Sequence, residues 1–198
     1  MRRFTAPVAA LVLGLSLVPA PVSAQAPGAE VRPVRSVDLE RYQGRWVQVA
    51  AIPQPFQAQC ARNDNAVYTL LPEGQVRVVN SCTRADGGTT SLEGRARQES
   101  PDSTSRLQVS FVRTAEGWDF DRPGTYWVIG LDRDYRWAVV GAPDRRSGFV
   151  LSRTAVPSQK DIDGMTKALL RNGYELCAFK ITAQDGGAPE SVPLCPAG

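Results

Sequence analysis

The sequence contains no histidine at all. Histidine is the usual general base, the usual partner of a nucleophilic serine and the commonest transition-metal ligand. A Ser-His-Asp triad, a His-ligated zinc and a His-ligated haem are therefore ruled out. Cysteine is sparse: Cys60, Cys82, Cys177 and Cys195 are the whole complement, and no two of them have the C-x-x-C spacing of redox and zinc sites. No metal, cofactor or catalytic residue is expected. Long apolar runs are missing apart from Val8 to Val18, which at about 11 residues falls short of the roughly 20 needed to cross a bilayer as a helix. Lysine is scarce beside arginine, and the net charge is only +3. Such a surface lacks the basic stripe that a nucleic-acid grip needs.

What is present begins with an export signal. Met1-Arg2-Arg3, the apolar run, Pro19, Pro21 and the small-residue triplet Val22-Ser23-Ala24 read as a secretory signal peptide over residues 1–24, with cleavage after Ala24. No cysteine stands at that point to carry the lipid of a lipoprotein, so release to the periplasm or the exterior is expected, not anchoring. Roughly 174 residues then remain, enough for one domain with a sizeable core. Four cysteines in an exported chain read as two disulfides, with three connectivities open.

Residues 25–36 carry Pro27, Gly28 and Pro33 and no apolar period, which predicts a flexible lead-in. From Gly44 to Leu151 short apolar or alternating runs follow: Trp46 to Ile52, Ala66 to Leu71, Val76 to Asn80, Ser91 to Gln98, Leu107 to Val112, Trp118 to Phe120, Tyr126 to Leu131, Trp137 to Gly141 and Phe149 to Arg153. Turn residues fill the gaps, as in Pro72-Glu73-Gly74 and Asp86-Gly87-Gly88. Even spacing of this kind predicts an all-β antiparallel meander. A helix over about 158–172 is predicted from Ser158 with Asp161 three residues on, the apolar stripe Ile162, Met165, Leu169 and Leu170, and the closing Gly173. That stripe is expected to pack on the outside of the sheet. Leu176 to Thr182 offers a further strand, and the tail over 183–198 is rich in glycine and proline and needs a tie, which Cys195 supplies.

Three stretches carry a resemblance. Asp38-Leu39-Glu40-Arg41-Tyr42-Gln43-Gly44-Arg45-Trp46 resembles the opening signature of the lipocalins, in which a Gly-x-Trp begins the first strand. Leu131-Asp132-Arg133-Asp134-Tyr135 is a looser match to the second lipocalin motif, and Phe149 to Thr154 resembles the third, whose Arg lies over the Trp. Ile52-Pro53, Phe56, Cys60, Ala66, Tyr68 and Asn80 are similar to the bacterial lipocalins and their apolipoprotein D-like relatives. The resemblance covers about Val37 to Tyr174. It implies an eight-stranded up-and-down β-barrel with one C-terminal helix outside, over 37–182, and a closed end sealed by Trp46 and Arg153. In the apolipoprotein D-like relatives a cysteine placed like Cys60 bonds one near the carboxyl end. The resemblance thus implies Cys60 with Cys195 and, of the two left, Cys82 with Cys177.

Side chains alternate across a strand, so matching each strand to the family pattern points one set inward. The expected ligand-binding residues are Phe56 as a lid, then Ala66, Tyr68, Val78, Leu92, Gly94, Leu107, Val109, Phe111, Tyr126, Val128, Ala138, Val140, Phe149 and Leu151. Tyr68 and Tyr126 would offer hydroxyls to a carboxylate or phosphate head group. Trp127 and Trp137 fall on the outward face, under the helix. The function so implied is binding, with transport or sequestration, of a small lipophile of the fatty acid, lysophospholipid or isoprenoid class, by a monomer or weak dimer. The alternative is an isomerase or cyclase in the same barrel.

Overall fold

The computed structural model describes residues 30–195; the expected signal peptide lies outside them. Asp38, which accepts from the amides of Glu40 and Arg41, caps a four-residue helix α1 (Leu39–Tyr42). The chain then runs through β1 (Gly44–Ala51), a 3₁₀ turn (Pro55–Gln57), β2 (Arg62–Leu70), β3 (Val76–Thr83), β4 (Thr89–Gln98), β5 (Arg106–Ser110), a small hairpin β6 (Arg113–Thr114) and β7 (Gly117–Trp118), β8 (Gly124–Leu131), β9 (Trp137–Gly141), β10 (Gly148–Ser152), α2 (Gln159–Arg171) and β11 (Lys180–Ile181). The sheet order β10-β9-β8-β5-β4-β3-β2-β1 closes on itself through β10 and β1. All the ladders are antiparallel, as short meander connections require. The product is an eight-stranded closed barrel with β11 added outside on β1. The run at Trp118 belongs to the β6–β7 hairpin, a separate two-stranded sheet, and not to the barrel wall.

Period-two alternation divides the apolar residues into two cores. Trp46, Ala66, Tyr68, Val78, Val109, Val140 and Leu151 face the barrel interior. Ile129, Val139 and Val150 face out and meet Met165, Ala168 and Leu169 of α2, with Tyr174 and Phe179 beyond it. The helix begins as its sequence predicts: the Ser158 hydroxyl donates to Asp161 Oδ2 at 2.7 Å and accepts from the Asp161 amide. Its buried stripe differs from expectation. Met165, Ala168 and Leu169 are buried, whereas Ile162 and Leu170 are exposed, because α2 presents a narrower edge to the curved barrel. Trp137 packs against the Cα of Gly164 in α2, as its outward parity requires. Trp127 is half-buried against the same outer cluster, and its indole N–H donates to the Glu99 carboxylate.

Two further expectations are corrected. Residues 30–36 are not loose: Val31 is buried, the Arg32 amide donates to Asn172 Oδ1, and the Val34 amide donates to the Val128 carbonyl at 2.8 Å. The disulfides pair Cys60 with Cys82 and Cys177 with Cys195. Register explains both bonds. The Ala61 amide donates to the Thr83 carbonyl, which sets the segment before β2 beside the end of β3. Antiparallel contacts of Phe179 with Leu194 and of Lys180 with Pro193 bring Cys177 opposite Cys195.

Candidate functional site

Two ends of the barrel are built differently. At the closed end Trp46 is fully buried, its indole N–H donating to the Tyr42 carbonyl at 2.7 Å. The Arg153 guanidinium lies 3.7 Å from the centre of that ring and donates to the carbonyls of Arg41, Arg45 and Tyr135. One planar cation thus joins α1, β1 and the β8–β9 turn, a geometry that suits arginine's fixed fork of donors. The looser motif has a structural part here too: Tyr135 accepts from the Asp38 amide, and Asp132 receives the Arg136 guanidinium in a bidentate pair. Arg136 continues to Asp161 at 3.1 Å, tying the closed end to the start of α2.

Above this plug lies a cavity of about 550 Å³. Of the residues expected to line it, Phe56, Ala66, Tyr68, Val78, Leu92, Leu107, Val109, Phe111, Tyr126, Phe149 and Leu151 do so. Val128, Ala138 and Val140 do not; each is at most 1% exposed and belongs to the packed interior. Gly94 is not wall either, because the Phe111 ring sits where its Cβ would be, 2.6 Å away. The glycine admits the phenyl ring and loses its own access.

The floor is a chain of three tyrosines. Tyr42 Oη is 2.9 Å from Tyr126 Oη, and Tyr126 donates to Tyr68 Oη at 3.0 Å. Their rings pack together, Tyr42 on Tyr68 and Tyr68 edge-on to Tyr126. Burial pushes Tyr68 up to about 12 and holds Tyr42 and Tyr126 well above the ordinary phenol value. These hydroxyls therefore stay neutral at any physiological pH. Three hydroxyls joined by two hydrogen bonds leave one O–H over, so the floor offers a single neutral donor, not the pair of free hydroxyls the sequence suggested. Tyr42 was missed because its strand parity is undefined on α1, although it stands four residues before Trp46.

The mouth is polar. Gln48, Gln57, Asp64, Asn65, Asn80 and Ser81 border the cavity there, and Asp64 is only 7% exposed. Gln57 Nε2, from the 3₁₀ turn, donates to Gln48 Oε1 and to Asp64 Oδ1, both at 2.9 Å. Burial raises the Asp64 carboxyl above the usual range, with the Gln57 hydrogen bond opposing. The signal for these residues was available: Asp64 is two positions before Ala66, and Gln48 two after Trp46. A bulge between Arg62 and Asn65, with Asn63 at φ 63°, disguises the start of β2. Cys60 and Cys82 also border the mouth, and with Asp64 they form a potential ligand cluster. Their sulfurs are joined in a disulfide, which leaves no thiolate pair for a metal.

Comparison with known proteins follows the same lines. The profile of the Lipocalin-like domain matches residues 37–184. Temperature-induced lipocalin-1 of Arabidopsis thaliana is 32% identical over 82% of this chain and 87% of its own length. Outer membrane lipoprotein Blc of Citrobacter freundii is 33% identical over 86% of this chain and 92% of its own. Among solved structures, insecticyanin from the tobacco hornworm Manduca sexta superposes with a TM-score of 0.60 at 19% identity, covering 84% of this chain and 89% of that one. Lobster apocrustacyanin A1 gives 0.55 at 15% identity, covering 81% and 94%. The fold likeness, the family profile and the sequence relatives agree: this chain belongs to the lipocalin family.

Proposed function

We propose that this lipocalin binds one small lipophilic molecule in its barrel and carries or sequesters it outside the cytoplasm. The observation that carries the reading is the cavity itself: about 550 Å³, walled by Leu107, Val109, Phe149 and other apolar side chains, with polar groups confined to floor and mouth. That volume and lining suit an elongated apolar guest of the fatty acid, lysophospholipid or isoprenoid kind. The amino-terminal signal and two disulfides support export to the periplasm or exterior, with the protein acting as a monomer or weak dimer. The competing isomerase or cyclase reading would draw on a polar nucleophile inside the barrel. All four cysteines are bonded, and the tyrosine hydroxyls bond to one another, so binding is the better-supported function.

Titration with the uncharged dye N-phenyl-1-naphthylamine tests this directly. Saturable fluorescence enhancement at one dye per chain, with micromolar or tighter affinity, is expected, together with a lipophile in native mass spectra of protein taken from its source. Absence of saturable binding by the dye and by lipophiles alike would overturn it.

A further inference from the structure

The donors and acceptors around Asp64 do not balance. Both hydrogens of Gln57 Nε2 are spent, one on Gln48 Oε1 and one on Asp64 Oδ1. Both hydrogens of Gln184 Nε2 go to the main-chain carbonyls of Gln48 and Asp64, at 2.9 and 3.0 Å. Gln48 Nε2 turns to Thr182 Oγ1. An ionised carboxylate has about four lone-pair sites, and those of Asp64 are met by one side chain, Gln57, and by its own main-chain amide, which leaves about two open. No arginine or lysine pairs with it among the described residues. A buried carboxylate so placed is costly until further donors reach it. It lines the cavity, so those donors can come from a guest.

From this corner we infer that the mouth selects the guest's head group: a hydrogen-bond donor, neutral or cationic, such as an alcohol, amide or amine, seated against Asp64. The inference rests on the binding reading above and narrows it. A fatty acid with its head at the mouth would bring acceptors and a second negative charge to a place already short of donors. Arg122 also borders the cavity, on the strand connection across the barrel from β2, but it is exposed. A solvated cation there is screened and attracts an anion weakly. The alkyl chain would run from Asp64 down the apolar wall toward the tyrosine floor.

Competition for the bound naphthylamine dye by dodecan-1-ol, dodecylamine and dodecanoate at pH 8 tests the inference, since the three share one chain length. The alcohol and the amine should displace dye at concentrations at least tenfold below dodecanoate. In Asp64→Asn the amine should weaken about tenfold and dodecanoate should strengthen. In Gln57→Ala, which frees Asp64 from its one recorded side-chain donor, preference for the amine should grow. The second variant serves if the first does not fold. Equal or stronger displacement by dodecanoate, or a ranking that neither variant moves, would overturn the head-group assignment while leaving dye binding, and the proposed function, intact. Failure of the dye to bind would instead sink the function, and this inference with it.

Discussion

Trp46 and Asp64 both point into the barrel, but the sequence announces them unequally. Trp46 stands in a recognisable motif, and the structure gives it the partner expected, Arg153 at 3.7 Å from its ring. Asp64 stands in no motif. Its inward direction follows from parity with Ala66 and Tyr68, but the bulge before it breaks the visible alternation. Its environment supplies a prediction on stability. Burial raises its folded-state pKa above the unfolded value, so the native state binds more protons than the unfolded state between those two values, and stability falls as pH rises through that window. Above the folded pKa the penalty is present in full; below the unfolded value it is gone. Asp64→Asn should therefore melt at a higher temperature than the natural protein at pH 7, and the gain should shrink to nothing by about pH 3, below the unfolded carboxyl pKa. Thermal unfolding followed by circular dichroism at both pH values would show it, and a variant less stable at pH 7 would contradict the assignment.

Elements were the most legible scale. Hydrophobic runs bounded by turn residues located the eight barrel strands, because the wall of a small barrel alternates inward and outward side chains along most of each strand. The ends of β2 and the detached β6–β7 hairpin were not legible, since bulges and short pairings leave no periodic trace. Helix α2 shows how packing overrides propensity. Gly164 lies mid-helix, where alanine ordinarily stabilises by about 1 kcal/mol. A Cβ at that position would meet the Trp137 ring at 2.6 Å. Gly164→Ala is accordingly expected to destabilise, by about 1–3 kcal/mol as overpacking usually does, with Trp137 fluorescence reporting the displaced ring. Chemical denaturation would decide the sign. A stabilised variant would show that α2 rides loosely on the sheet.

At the scale of the whole molecule, the cysteine pairing separates what resemblance can transfer from what geometry decides. The family likeness suggested a bond from Cys60 to the tail. The register of this chain instead gives two local loops, with sequence separations of 22 and 18. Each is worth about 3 kcal/mol on the chain-entropy account. Peptide mapping of the unreduced protein should recover Cys60 with Cys82 and Cys177 with Cys195, and a Cys60–Cys195 peptide would refute this pairing. Because the two loops do not overlap, Cys60→Ser with Cys82→Ser should leave the tail bond intact.

Closure of the barrel also bears on self-association. β1 and β2 are paired only from Gly44 to Val47; beyond that they part. A bare strand edge in that gap would be a template for pairing with a second chain. It is filled from the C-terminal side, by β11 on Ala50 and Ala51 and by the Gln184 amide bridging the carbonyls of Gln48 and Asp64. The segment that follows α2 thus guards the barrel against edge-to-edge aggregation, so a solubility defect is the cost to look for when residues 180–184 are altered.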